Sequence, residues 1–226
     1  MKDLRIAIRQ RRALNCFVSG DYGVALKHFL AIERIRPDYP GLNHNLGLVA
    51  MGRGDYAEAE RRFLSDLERL GDHYPRLRVL ADLYYIQGRR EEALAFYRRA
   101  QADEGSACAT RLLAERIAIC EDPERYERAR HSAERYREGN TLEAAGETQA
   151  AAERYREAIE HDPTNIPAIN NLGAILMNTR HDYDGAARLF EQGLAWEHLD
   201  WLAANLEKAH SGRVQRERRD RQRGGR

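Results

Sequence analysis

HNLGLVAMGRGDYAEAERRFLSDLERLG, residues 44–71, decides how the whole chain is read. A leucine-glycine pair at 46–47 is followed by Gly54-Asp55-Tyr56, then by Ala59 and Phe63. The same spacing appears as Gly20-Asp21-Tyr22, Ala25, Phe29, Ile32 and Pro37; as Gly88, Ala93, Tyr97 and Ala100; and as Gly146, Ala151, Tyr155, Ala158 and Pro163. Seven residues ahead of each glycine stands a small residue, Ala13, Gly47, Ala81 or Gly139. Gly20, Gly54 and Gly88 are 34 residues apart. Self-similarity at a fixed period of this length marks an array of stacked supersecondary units. A fifth copy, Leu172-Gly173 with Asp182-Tyr183, Ala186, Phe190 and Gly193, needs one extra residue in its turn, where Arg180-His181 replaces the glycine.

The spacing has a direct packing explanation. A small residue on a first helix and an alanine on a second let two backbones approach, while the aromatic fills the gap towards the next unit. The glycine between them supplies the left-handed conformation of a helix exit, and the following aspartate can cap the second helix. Abundant Ala, Leu, Glu and Arg favour helix, and the Asn-Gly or Asp-Gly hairpin turns of a strand-rich chain are missing. An all-α chain is expected.

With these landmarks the sequence resembles the tetratricopeptide repeat (TPR) family over about three quarters of its length. The resemblance implies an α-solenoid of stacked antiparallel helix pairs, with about five repeats. Departures include the missing large aromatic early in the first helices, Asp66 in place of a small apolar residue, and Arg12 and Glu138 in place of leucine.

Between Gly88 and Gly146 the spacing is 58 residues, 24 more than one repeat. Residues 107–120, ACATRLLAERIAIC, put Ala109, Leu112, Leu113, Ile117 and Cys120 along one stripe, and Glu121-Asp122-Pro123 then stops and restarts a helix. Solenoids close their apolar ends with an amphipathic helix. Residues 107–120 are expected to be one such cap, and Leu202 to His210 a second. The expected organisation is therefore 1–121, three repeats and a cap; 122–211, two repeats and a cap; and 212–226, a basic flexible tail. A single continuous superhelix with an irregular middle pair is the alternative. The tail, RVQRERRDRQRGGR, offers little to bury beyond Val214, so it is expected to fray.

The 226 residues are 42% hydrophobic and 32% charged with a net charge of +1, which excludes bulk disorder. No run approaches the ~18 apolar residues of a membrane span. The opening MKDLRIAIRQRR puts charges where a secretion signal needs an apolar core, so a cytoplasmic location is expected. Cys16, Cys108 and Cys120 lack any CxxC spacing and are expected to be buried free thiols.

Phosphate-loop, nucleophile-elbow and zinc-helix motifs are absent from the sequence. His161-Asp162 and His181-Asp182 fall where helix ends need caps, and the Arg53-Gly54-Asp55 tripeptide is explained by the repeat turn. The Glu and Arg pairs of the two ERYRE stretches have the spacing of solvated helix faces. The chain is thus expected to be a non-enzyme without cofactor or metal.

In the family, the first helix of each pair lines an inner wall. That geometry assigns Leu14 and Phe17; Asn45, Leu48 and Met51; and Arg78, Asp82 and Tyr85 to a groove in the first block. In the second block it assigns Tyr136, Asn140, Asn170, Asn171 and Met177. Asparagine can both donate to and accept from an extended backbone, and Asn45 and Asn171 occupy matching positions. Asn45 also matches one asparagine of a carboxylate clamp found in some family members. The flanking copies lack the clamp's lysines, having Gln10 and Tyr136 instead. The same asparagines could equally serve a neighbouring helix.

The expected role is a scaffold or adapter that holds a peptide or amphipathic helix of another protein, with the more apolar first block as the main surface. The lesser alternatives are nucleic-acid or acidic-partner association through the arginine-rich tail, and a regulatory subunit of an enzyme complex. Partner identity and oligomeric state stay open.

Overall fold

The protein is described by a computed structural model over residues 2–18, 20–103 and 111–224. These residues form helices α1 Lys2–Val18, α2 Tyr22–Ile35, α3 Leu42–Gly52, α4 Tyr56–Leu70, α5 Tyr74–Gln87 and α6 Arg90–Ala102. They continue as α7 Arg111–Glu121, α8 Pro123–Ala144, α9 Thr148–His161, α10 Ile166–Asn178, α11 Tyr183–Leu194 and α12 Asp200–Gly224. No strand occurs among the described residues. The contacts divide the chain into two units, Met1–Ala107 and Cys108–Arg226.

In the first unit, α1/α2, α3/α4 and α5/α6 are the three expected helix pairs. Each pair turns on a glycine with positive φ, +79° at Gly20, +76° at Gly54 and +79° at Gly88. The residue after the glycine donates back five positions, as in Asp55 N to Ala50 O at 2.9 Å and Arg89 N to Tyr84 O at 2.9 Å. The aspartates predicted to cap do so: Asp21 accepts from Val24 N at 3.1 Å, and Asp55 from Glu58 N at 3.2 Å.

The small residue of the first helix is where the aromatic of the second helix lands. A methyl group added at Gly47 would collide with the Phe63 ring, and in the second unit one at Gly139 or Gly173 would lie 2.5 Å from Tyr155 or Phe190. Ring on glycine therefore fixes the separation of these three pairs, and the equivalent positions of α1/α2 and α5/α6 are the alanines Ala13 and Ala81. Next to it, α2 and α3 join α1 in a core of Ile6, Ala13, Ala25, Phe29, Ile32, Leu42, Leu46 and Val49.

Polar ties link successive pairs. The Arg62 guanidinium bonds Glu33, Asn43 and Glu58, joining α4 to α2 and α3. Arg89 reaches Glu60 at 2.9 Å while lying 4.2 Å over the Tyr84 ring, whose hydroxyl also donates to Glu60 at 2.9 Å. Burial, followed by the Glu60 hydrogen bond, pushes the Tyr84 hydroxyl up to about 12.

The second unit holds the pairs α8/α9 and α10/α11 together with α7 and α12. Asp122 caps α8 through Glu124 N at 2.9 Å and Arg125 N at 3.1 Å, with Pro123 in its first turn, as the sequence predicts. The fifth turn does carry one residue more. Asp182 N donates to Leu176 O, six positions back, and His181 takes the left-handed conformation at φ +54°.

Two expectations differ from the structure. Helix α7, expected to cap the first block with a boundary at 121/122, lies in the second unit, and the boundary falls at 107/108. Leu112 packs in a core with Ile166, Ala186, Ala187, Phe190, Leu202 and Ala209. Its amide donates to Trp196 O at 3.3 Å, while Arg111 lies 4.2 Å over the Trp196 ring. An apolar stripe says that a face is buried but not which neighbour buries it. Ala109 and Cys108 of that stretch lie outside the described residues. Cys120 is a buried free thiol and Cys16 is a half-buried one.

The tail expected to fray from 212 is instead the second half of α12, helical to Gly224. Arg, Glu and Gln are good helix formers. The helix is also anchored by Tyr183 against Gly212, by Arg213 to Asp184 at 3.3 Å, and by Arg216 to His181 O at 3.1 Å. Residues 225–226 of the tail lie outside the described residues.

Candidate partner-binding faces

The predicted groove residues sit on α1, α3, α5, α8 and α10, the first helices of the five pairs. Their surroundings differ between the two units, and the difference is one of hydrogen bonding.

In the second unit the asparagines are committed to the fold. Asn140 Oδ1 accepts from the Tyr155 hydroxyl at 2.8 Å, and Asn171 Nδ2 donates to Tyr155 Oη at 3.2 Å and to Asn140 Oδ1 at 3.3 Å. Asn170 donates to Asn171 at 3.3 Å and accepts from Asn205 of α12 at 2.8 Å. Tyr136 tilts against Tyr155 at 5.8 Å between ring centroids. Met177 is half-buried against the core that includes Leu202 and Leu206. Neither Asn205 nor Glu143, which also accepts from Tyr155 at 2.6 Å, was singled out from the sequence. A partner 12 to 35 residues away leaves no local signature.

Burial of Tyr155, followed by the Glu143 hydrogen bond, raises its hydroxyl well above the ordinary 10.0, and Tyr84 moves the same way. The folded chain thus holds these protons more tightly than the unfolded chain does. Stability from this source is complete below pH 10 and is lost as pH rises towards 12. Thermal melts across that interval should fall more steeply for the natural chain than for Tyr84→Phe. Parallel curves would remove Tyr84 from the account.

In the first unit, Asp82 accepts from the Tyr97 hydroxyl at 2.6 Å and pairs with Arg78 at 3.6 Å. Tyr85 meets Tyr97 edge-on at 6.3 Å, and Phe17 meets Tyr22 edge-on at 5.5 Å. Asp82 and Tyr85 therefore help to hold α6 on α5. Leu48 and Met51 are half-buried, and Leu14 is exposed. Asn45 is half-buried with no side-chain hydrogen bond among the described residues. On the same helix His44 meets the Phe63 ring at 5.9 Å, and burial pushes its imidazole below the ordinary 6.5 despite Asp66 nearby.

Asn45 thus differs from its counterpart Asn171 in the one respect that matters for binding. Both have an amide at the same helix position, but only that of Asn171 is already used. Among the described residues no group of three or more His, Cys, Asp or Glu side chains is placed to hold a metal ion. No helix among them is long and apolar enough to cross a membrane.

Sequence profiles described as tetratricopeptide repeat match residues 142–208 and residues 44–107, between them more than half of the 226 residues. No curated protein sequence matches the chain. Among solved structures, MamA (41-end) from Desulfovibrio magneticus RS-1 is similar at 16% identity and a TM-score of 0.46, covering 85% of this chain and 95% of that one. TTC0263, a thermophilic TPR protein of Thermus thermophilus, is similar at 18% identity and a TM-score of 0.41, covering 90% and 98%. The TPR2AB domain of yeast Sti1 in complex with pHSP90 is similar at 12% identity and a TM-score of 0.43, covering 91% and 98%.

Proposed function

The chain belongs to the tetratricopeptide repeat family, and from that premise we propose that it is a scaffold holding a partner protein's peptide or amphipathic helix against α1, α3 and α5 of its first unit. The supporting observation is the amide of Asn45, without a side-chain hydrogen bond among the described residues, on the same helix as the half-buried Leu48 and Met51 and with Leu14 exposed on α1, when the matching amides of the second unit are spent internally. An unpaired amide can donate to and accept from an extended backbone, fixing the register of a ligand without demanding one side chain.

The apolar neighbours supply contact area for the ligand's own side chains. A shallow helix-in-groove contact of this kind corresponds to micromolar affinity, about −8 kcal/mol. Chemistry in such an assembly belongs to the partner, and this chain contributes position.

The test is affinity purification from the native cell followed by mass spectrometry, comparing the natural chain with Leu14→Ser/Asn45→Ala. Both positions lie outside the core, so helicity and Tm should stay nearly unchanged while the main partner is lost. Unchanged recovery of that partner by a folded variant would remove this face from consideration.

A further inference from the structure

Four of the eight large apolar side chains exposed among the described residues sit on one helix, α1: Leu4 at 67%, Ile8 at 46%, Leu14 at 40% and Val18 at 84%. At 100° per residue they fall within a sector of roughly 120° on the side away from the buried Ile6 and Ala13. Of the five cations of α1, Arg11 falls inside this stripe, Arg5 and Arg12 border it, and Lys2 and Arg9 lie towards the buried side; against the single acid Asp3 the helix carries a net +4. None of the five cations forms an ion pair among the described residues. The helix therefore spends one face on the core, while the other is an uncovered apolar stripe carrying Arg11 and edged by Arg5 and Arg12.

We propose that this second face of α1 docks on an anionic phospholipid surface, with Leu4, Ile8 and Val18 entering the acyl boundary and the arginines meeting lipid phosphates. Charge narrows the choice of occupant. A second copy packed on the same face would bring two +4 helices together, which disfavours a dimer there. Shape narrows it further. A partner helix is gripped by a groove with two walls, whereas Leu4, Ile8 and Val18, in a stripe that shares only Leu14 with the protein-binding face proposed above, lie along a single helix, and such a ridge suits a soft planar interface. Each cation near an anionic leaflet adds about fivefold to binding, so several arginines and a short apolar stripe together give reversible attachment. Arg11, inside the stripe, can extend its guanidinium to the phosphate level while its methylenes stay apolar.

The experiment is co-sedimentation of the full chain with vesicles of phosphatidylcholine alone and of phosphatidylcholine with phosphatidylglycerol at roughly three to one. The natural chain should bind the mixed vesicles, release at high salt, and bind the neutral ones at least about tenfold less. Leu4→Ser/Ile8→Ser/Val18→Ser and Arg5→Gln/Arg11→Gln/Arg12→Gln should each weaken partitioning by about tenfold or more. Arg218→Gln/Arg219→Gln/Arg221→Gln, on the exposed end of α12, should stay within about twofold of the natural chain. Leaving Leu14 untouched keeps this test separate from that of the protein-binding face.

Circular dichroism establishes that the variants fold, and quenching of a Leu4→Trp variant by brominated lipid, above the natural-chain background, reports insertion in an otherwise intact protein. Any of four results overturns the proposal: no binding to mixed vesicles, equal binding to neutral ones, unquenched Leu4→Trp, or loss that follows the α12 variant while the α1 variants bind normally. So does an acidic amphipathic peptide that binds α1 when the vesicles do not.

Discussion

Phe63→Ala is expected to destabilise the protein by about 3–5 kcal/mol, with a fall in Tm of about 10 °C or more. The ring is 2% exposed and fills the space opposite Gly47, where no side chain can move in to replace it. Truncation therefore leaves a cavity between α3 and α4, and the lost contacts add to the lost burial. In a repeat array each unit contacts chiefly its neighbours, so the damage should be greatest in the first unit. Leu70→Ala, at a 51% exposed position at the end of the same helix, is the control and should cost less than about 0.5 kcal/mol. Comparable melts for the two variants would show that ring-on-glycine packing does not set the stability of the pair.

The second large effect is expected at Arg116→Met. Arg116 of α7 bonds Asp162 Oδ2 at 2.9 Å and Thr164 O at 3.1 Å, and Asp162 is only 3% exposed. Asp162 keeps the Thr164 amide at 2.9 Å and the Thr164 hydroxyl at 2.5 Å, so the carboxylate would stay hydrogen-bonded but lose Arg116. Removing one partner of a buried pair costs about 3–5 kcal/mol because the remaining charge stays desolvated. Asp162→Asn in the Arg116→Met background removes that charge, so the double variant should be more stable than Arg116→Met alone. Denaturant unfolding of the single and double variants measures the coupling, and additive losses would mean that the pair contributes little.

This ion pair also shows where sequence reading ends. The stripe of α7 is legible, since Leu112, Leu113, Ile117 and Cys120 are all buried. Its allegiance is not, because that depends on Arg116 meeting a carboxylate 46 residues away and on Leu112 reaching Trp196. The repeat turns were legible because glycine and aspartate act within five residues of themselves, and even the extra residue near His181 could be counted. The helical second half of α12 was missed because arginine reads as solvated charge, although it is also a good helix former and here finds acceptors on the α10–α11 turn.

For the candidate face, helix periodicity places Asn45 and Asn171 at the same position of their repeats. It is silent on whether an amide is already occupied. Asn171 bonds Asn140 and Tyr155, whereas the Asn45 side chain has no hydrogen-bond partner among the described residues. The choice between a binding amide and a structural one was open in the sequence; the amides of the second unit are structural, and Asn45 is the one left for the contact proposed above. Tyr85, assigned to the groove floor, also packs edge to face with Tyr97.

The six-position closure from Asp182 to Leu176 changes how the last hairpin tolerates alteration. Between α10 and α11 the pair is held by Phe190 seated on Gly173, the same contact that holds α3 to α4 and α8 to α9, while the connector is one residue longer than theirs. An epitope or a small foreign domain grafted between Thr179 and Arg180, both exposed, would lengthen a joint that already has slack. The chain thus carries its own graft point for a reporter, in the second unit, whereas Asn45 belongs to the first.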